Sequence, residues 1–267
     1  MSKVGQTPTG QQVIIGQPGV HGMPMGQPAP VAWMPKPAKI PGCPQGLEYL
    51  TQIDQILVKQ KVDLFEMVVG WEQENKYKLL NSVGQQVYSA KEESGVCERQ
   101  CCQSNRGFTM HITDNADVEV IKLERKFRCW KNSCWCACCE CCAHLIKVEA
   151  PVGTTVGYVQ QKCSPCPPRF SLLDDDKDEV LSIEGPCCII PCANVEFKVI
   201  SPKTGAEVGK VTKQWSGMAK ELFTNADNFG ISFPMDLDVK MKATMLGACF
   251  LIDFMYFEKD SNDNSLL

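Results

Sequence analysis

The densest chemistry in this sequence is a run of thiols: Cys129-Trp130-Lys131-Asn132-Ser133-Cys134-Trp135-Cys136-Ala137-Cys138-Cys139-Glu140-Cys141-Cys142. Thiols at this density can hold a soft metal, carry fatty acyl chains, or pack as small apolar groups. A structural zinc site needs four converging ligands, often two Cys-x-x-Cys knuckles. Cys163-Ser164-Pro165-Cys166 has that spacing, and Cys187, Cys188 and Cys192 are further donors, but the run itself is too crowded and the chain has only three histidines. Thioacylation asks instead for clustered cysteines in an amphipathic surround, which Trp130, Trp135, Lys126, Arg128 and Lys131 supply. One acyl chain binds a membrane marginally and two anchor it, at about 0.8 kcal/mol per buried CH₂. The expected acceptors are Cys134, Cys136, Cys138, Cys139, Cys141 and Cys142.

A second constellation is built from oxygen. Asn225 to Asp236 spans twelve residues, with Gly230 sixth, where a calcium loop turns sharply. The ligand positions of such a loop fall on Asn225, Asp227, Phe229, Ile231, Phe233 and Asp236. Asn225, Asp227 and Asp236 offer side-chain oxygens and Ile231 a carbonyl, whereas Phe229 stands where an oxygen is usual and Asp236 is shorter than the customary bidentate Glu. Calcium affinity is expected to be low, and an ordinary Asn/Asp/Gly loop reads equally well. No nucleophile, phosphate loop or acid/base pair is evident, so catalysis is not expected.

The elements that carry these groups follow from the texture of the chain. Its 267 residues, 44% hydrophobic and 22% charged, suffice for a core. A net charge of −4 does not advertise nucleic-acid binding. The 17 cysteines are odd in number and lie in adjacent pairs and runs, and the N-terminus has no apolar signal segment. A reducing compartment is expected. Residues 1–44 hold nine prolines and seven glycines. They read as a disordered head with polyproline character, its only strict PxxP being Pro41-Gly42-Cys43-Pro44, a weak invitation to SH3 or WW domains.

Beyond it, Leu47, Leu50 and Ile53 start a short helix, and short alternating runs dominate: Val62–Val69, Lys76–Leu80, Gln86–Ala90, Phe108–Ile112, Val118–Leu123, Leu145–Glu149, Thr155–Gln160, Arg169–Leu173, Glu179–Ile183, Val195–Ile200 and Glu207–Lys213. Turn chemistry separates them. The fold class is mainly β, an antiparallel sandwich or closed barrel. Residues 243–257 break the pattern, apolar apart from Thr244 and Asp253. They are too short for a comfortable membrane span, which wants about 20 residues, and Asp253 is costly in a bilayer. Lys240 and Lys242 before them and Glu258 and Asp260 after them would nevertheless suit a span with its N-terminus inside. A helix inside a barrel and a single span are both open. Residues 259–267 read as a disordered tail.

Phe223-Thr224-Asn225-Ala226-Asp227-Asn228-Phe229-Gly230-Ile231, running on through Asp236-Leu237-Asp238-Val239-Lys240-Met241-Lys242-Ala243 and Gly247-Ala248-Cys249-Phe250-Leu251-Ile252-Asp253-Phe254, resembles the phospholipid scramblase signature. Pro44–Leu50 and Glu149–Gly153 extend the resemblance, so that it covers about 44–258. It implies a closed antiparallel tubby-like β-barrel of about twelve strands around a hydrophobic C-terminal helix, in a domain of residues 45–258. It also implies calcium-stimulated, ATP-independent, bidirectional movement of phospholipids between leaflets, with Ca²⁺ at Asn225–Asp236. Asn225 stands where the best-known members carry Asp, which should weaken binding. The family's palmitoylation cluster is similar to Cys138–Cys142 or Cys134–Cys139. Its non-classical import segment resembles Gly209–Met218, where Lys210, Lys213 and Trp215 would meet an importin.

The implied location is the cytosolic face of a membrane, the plasma membrane foremost, and the nucleus when unacylated. A palmitoylated adapter without intrinsic lipid transport is the competing expectation.

Overall fold

The computed structural model describes residues 31–61, 74–128, 137, 142–189, 193–214 and 228–258. Twelve strands among them close into one antiparallel barrel: β1 (Gln55–Lys61), β2 (Lys76–Leu80), β3 (Gln86–Glu93), β4 (Phe108–Thr113), β5 (Glu119–Arg125), β6 (Leu145–Glu149), β7 (Thr155–Lys162), β8 (Arg169–Leu173), β9 (Glu179–Glu184), β10 (Val195–Ile200), β11 (Glu207–Gln214) and β12 (Asn228–Ser232). Each strand pairs with its neighbour in sequence, and β1 with β12 closes the ring through Ile56↔Ile231 and Val58↔Phe229. Closure leaves no free edge.

Alternation explains the inward faces. In β4, Phe108, Met110 and Ile112 are buried while their neighbours are half-exposed, and in β10 Val195, Phe197 and Val199 are buried while Glu196 and Lys198 are exposed. A short helix, α1 (Val96–Cys102), and two 3₁₀ turns, Glu48–Gln52 and Gln103–Asn105, lie among the strands. The short helix expected near Leu47 is the first of those turns.

The barrel is filled by α2 (Val239–Tyr256). Asp238 caps it, its carboxylate accepting from the backbone N–H of Lys240 at 2.8 Å and of Met241 at 3.4 Å. Every residue from Met241 to Met255 is buried. A helix apolar on all sides is stable in water only if it is enclosed. The strands enclose it, and Phe250 and Phe254 pack on Tyr77 and Phe108 of the wall.

Two charged side chains of α2 share this interior, and each finds partners. The Lys242 ammonium donates to the carbonyls of Leu50, Ile53 and Met235 at 2.7–3.1 Å. Asp253 accepts from the Tyr77 hydroxyl at 3.0 Å. Burial of a charge without such partners is prohibitive. Burial and then the Asp253 carboxylate push the Tyr77 phenol well above its ordinary pKa, so it stays a donor. Of the two expectations for residues 243–257, the structure selects the helix within a barrel.

Part of the proline-rich segment touches the barrel. Trp33 bridges to Gln86, and the Met34 N–H donates to the Gln86 carbonyl at 2.8 Å. Met34 is buried, and the Lys36 ammonium pairs with the buried Asp114 carboxylate at 2.7 Å. Residues 32–36 therefore lie against the barrel, held by backbone pairing that proline content alone conceals.

Candidate functional site

The thiol run falls in the connection between β5 and β6, which are paired through Arg125↔Ile146. Cys134, Cys136, Cys138, Cys139 and Cys141 lie outside the described residues, and Cys142 is half-buried at the end of the connection. Both stems of this connection are fixed. On the first, Arg125 is 2% exposed; it donates to the Ser104 carbonyl at 2.9 Å and to His144 Nδ1 at 2.9 Å. On the second, His144 is 1% exposed; its carbonyl accepts from the Gln161 backbone N–H at 2.8 Å, and its N–H donates to Gln161 Oε1 at 3.2 Å. An arginine only donates, so His144 is neutral with its proton on Nε2. Burial, then the Arg125 and Arg128 charges, hold its pKa down at about 3. Burial and Arg106 lower Arg125 to about 9.

Arg106 anchors the same end of the barrel. Its guanidinium meets Glu92 at 2.7 and 3.1 Å and Glu258 at 2.8 Å, and lies 4.6 Å from the Phe254 ring centroid. Burial works against its charge, and Glu258 and Glu92 more than offset that, so its pKa is raised. Glu92, whose burial alone would raise its pKa, is held low by Arg106.

Residues 225–236 are not one loop. Phe229 and Ile231 sit in β12, side chains inward at 1% and 0% exposure, and β12 is paired to β1 and β11 on its two edges. Phe233 is buried beyond it, Asp236 is exposed, and Asn225 and Asp227 lie outside the described residues in the β11–β12 connection. Of the expected ligand positions that are described, Phe229, Ile231 and Phe233 turn their side chains to the core, the Ile231 residue is paired within the sheet, and Asp236 offers an exposed carboxylate. No group of three or more His, Cys, Asp or Glu suited to a metal occurs among the described residues. Cys163 is disulfide-bonded, against the expectation of thiols throughout.

Lys210 and Lys213 lie in β11, hydrogen-bonded on both edges. Lys210 pairs with Glu196 at 2.9 Å, and Lys213 sits 4.4 Å from the Phe257 ring centroid. Trp215 lies outside the described residues.

Comparison with known proteins supplies the decisive observation: the Scramblase family model matches residues 34–259. The chain belongs to the phospholipid scramblase family. Phospholipid scramblase 2 of Bos taurus is 50% identical over 252 residues, covering 94% of this chain and 82% of that protein. Phospholipid scramblase 1 of Homo sapiens is 51% identical over 231 residues, 86% and 71% of the two chains. Homo sapiens phospholipid scramblase family member 5 is 45% identical over 242 residues, 90% and 86%.

The family match starts at residue 34, close to where the chain joins the barrel. Arg106, Arg125 and His144 form a buried polar cluster in this scramblase-family chain that no local motif announces, because their partners are distant in sequence. Only their position in otherwise alternating segments hinted at burial.

Proposed function

We propose that this chain takes part in passive, bidirectional, ATP-independent movement of phospholipids between membrane leaflets. The observation that carries this reading is the family match across the whole barrel domain. Attachment is by acyl chains on the β5–β6 connection, whose stems hold it at one end of the barrel. The membrane face is cytosolic, at the plasma membrane.

Among the described residues no helix is long and apolar enough to cross a membrane. Enclosure of α2 means that this helix offers lipids no path. The barrel acts from the surface, on the bilayer or through assembly with further copies. Calcium stimulation belongs to this proposal through family membership alone, and any ion would draw on donors such as Asn225 and Asp227.

The test is purified full-length protein in vesicles carrying labelled lipid, without ATP. Accelerated redistribution over protein-free vesicles is expected, with a further gain on adding calcium. Rates equal to protein-free vesicles under both conditions would reject transport.

A second reading is favoured by one specific observation, the burial of α2. A palmitoylated adapter needs a barrel and an anchor but no translocation path, and when unacylated it could enter the nucleus through Lys210, Lys213 and Trp215. Proline-rich residues 1–44 would then recruit SH3 or WW partners. Hydroxylamine cleaves thioesters, so either reading predicts release of the cellular protein from membranes after treatment. Retention against alkaline carbonate after deacylation would point to a spanning segment. Vesicle transport separates the two readings.

A further inference from the structure

A polar groove of about 450 Å³ runs across the outer face of β10, β11, β12 and β1. Its walls include Glu196, Lys210, Thr212, Gln214 and Ser232, with Gln55 and Asn194 at the margins, and its floor is Gly230. Register places Thr212 beside Gly230, and Lys210 beside Ser232, which in turn faces Gln55.

Gly230 is the informative residue. A glycine inside a strand weakens it and often marks a place where something approaches closely. Other strand glycines have a structural reason. A Cβ on Gly157 would lie 2.6 Å from the Leu173 carbonyl, and one on Gly209 would collide with the Ser232 carbonyl. At Gly230 the nearest atoms to an added Cβ are the flexible end of Gln214 at 3.3 Å and Leu57 at 3.8 Å, and its φ is not positive. Neither sterics nor backbone conformation demands glycine there. What the missing side chain provides is the depth of the groove.

The lining defines the ligand. Lys210 and Glu196 are about half-exposed and 2.9 Å apart, and an exposed ion pair holds its members weakly. A purely anionic ligand would face Glu196, and a purely cationic one Lys210. A ligand with adjacent phosphate and ammonium groups satisfies both, while Thr212, Ser232, Gln55 and Gln214 serve ester oxygens. Among the described residues no aromatic side chain lines the groove, so it lacks the cage that quaternary ammonium groups favour. The polar walls give acyl chains no place.

We propose that this groove binds the phosphoethanolamine headgroup, a phosphodiester bearing a primary amine, with Lys210 on the phosphate, Glu196 on the ammonium and Gly230 as the floor. The inference rests on the transport reading above and names its substrate class.

Calorimetric titration of the full chain with glycerophosphoethanolamine is the test, with glycerophosphocholine and inorganic phosphate as comparisons. Saturable binding of the ethanolamine diester is expected, at least tenfold tighter than either comparison. G230V and K210Q should weaken it at least tenfold, and E196Q should abolish the preference over choline. E196Q and K210Q alter exposed side chains, which keeps the test valid if G230V folds poorly. Equal binding of inorganic phosphate, no saturable binding, or unchanged affinity in E196Q and K210Q would overturn the proposal.

Cosedimentation with phosphatidylethanolamine-containing against pure phosphatidylcholine vesicles distinguishes the source. A preference lost in E196Q assigns the headgroup to the membrane; soluble binding without that preference assigns it to a free diester. Transport assayed in parallel separates the two claims. Headgroup binding without transport supports the groove and removes the transport reading, and transport without headgroup binding does the reverse.

Discussion

R106M is expected to lower the free energy of unfolding by about 3–5 kcal/mol, the usual cost of leaving a buried charge without its partner. Arg106 is 1% exposed, and the Glu92 side chain it faces is 0% exposed. Methionine preserves much of the packing on Phe254 but strands the Glu92 carboxylate, which among the described residues would keep the Ser94 hydroxyl at 2.6 Å and the Asn75 N–H at 3.1 Å. The substitution also removes the Arg106 contact at 2.8 Å from Glu258, two residues beyond α2, leaving it the Asn75 amide at 3.2 Å. The ion pair therefore clamps the end of the helix to the barrel wall. Urea unfolding monitored by circular dichroism measures the loss. Adding E92Q to R106M should recover part of it, because the stranded charge is then gone. A loss below about 1 kcal/mol, typical of exposed pairs, would show that this network is not buried as described.

Acidification is expected to destabilise the barrel through His144. Its folded pKa, about 3, lies below the ordinary 6.5. Between those values the unfolded chain binds a proton that the folded chain refuses, so the contribution is present above pH 6.5 and lost as pH falls toward 3. At 1.36 kcal/mol per unit, the loss across that window is roughly 4 kcal/mol. His111 works in the opposite direction. Burial lowers its pKa, but hydrogen bonds to Glu119 and Glu93 raise it overall. Its contribution is full below 6.5 and fades as pH rises through the raised value. That contribution is smaller because the ring is 31% exposed to screening solvent. H144N keeps an acceptor for Arg125 and cannot titrate, so its stability should fall less steeply from pH 7 to pH 4 than that of the unsubstituted chain. Parallel curves for the two proteins would contradict the assignment. Because His144 and Arg125 form the stems of the β5–β6 connection, the same titration loosens the mount of the expected acylation sites.

The strands were readable wherever one face is apolar and the other polar. Leu145–Glu149, Arg169–Leu173 and Val195–Ile200 begin and end where alternation places them. β12 was not, because Asn228-Phe229-Gly230-Ile231-Ser232 reads locally as turn chemistry between acidic residues, and only pairing with β1 and β11 makes it a strand. β1 is not legible as a strand, since Gln55, Lys59, Gln60 and Lys61 dilute the inward Ile56 and Val58. The Val62–Val69 strand lies outside the described residues. An apolar helix of the length of α2 has the same composition in a protein core and in a bilayer. What separates the two is Asp253 against Tyr77 and Lys242 against three carbonyls, partners that the helix sequence alone does not name.

Photolabelling with a carbene reagent confined to the hydrocarbon phase, applied to full-length protein on membranes, asks where α2 resides. The barrel described here predicts no label on Met241–Met255, even when acyl chains hold the protein on the bilayer. Label concentrated on those residues would mean that the helix leaves the barrel for lipid, and the account of a surface-acting domain would fail with it.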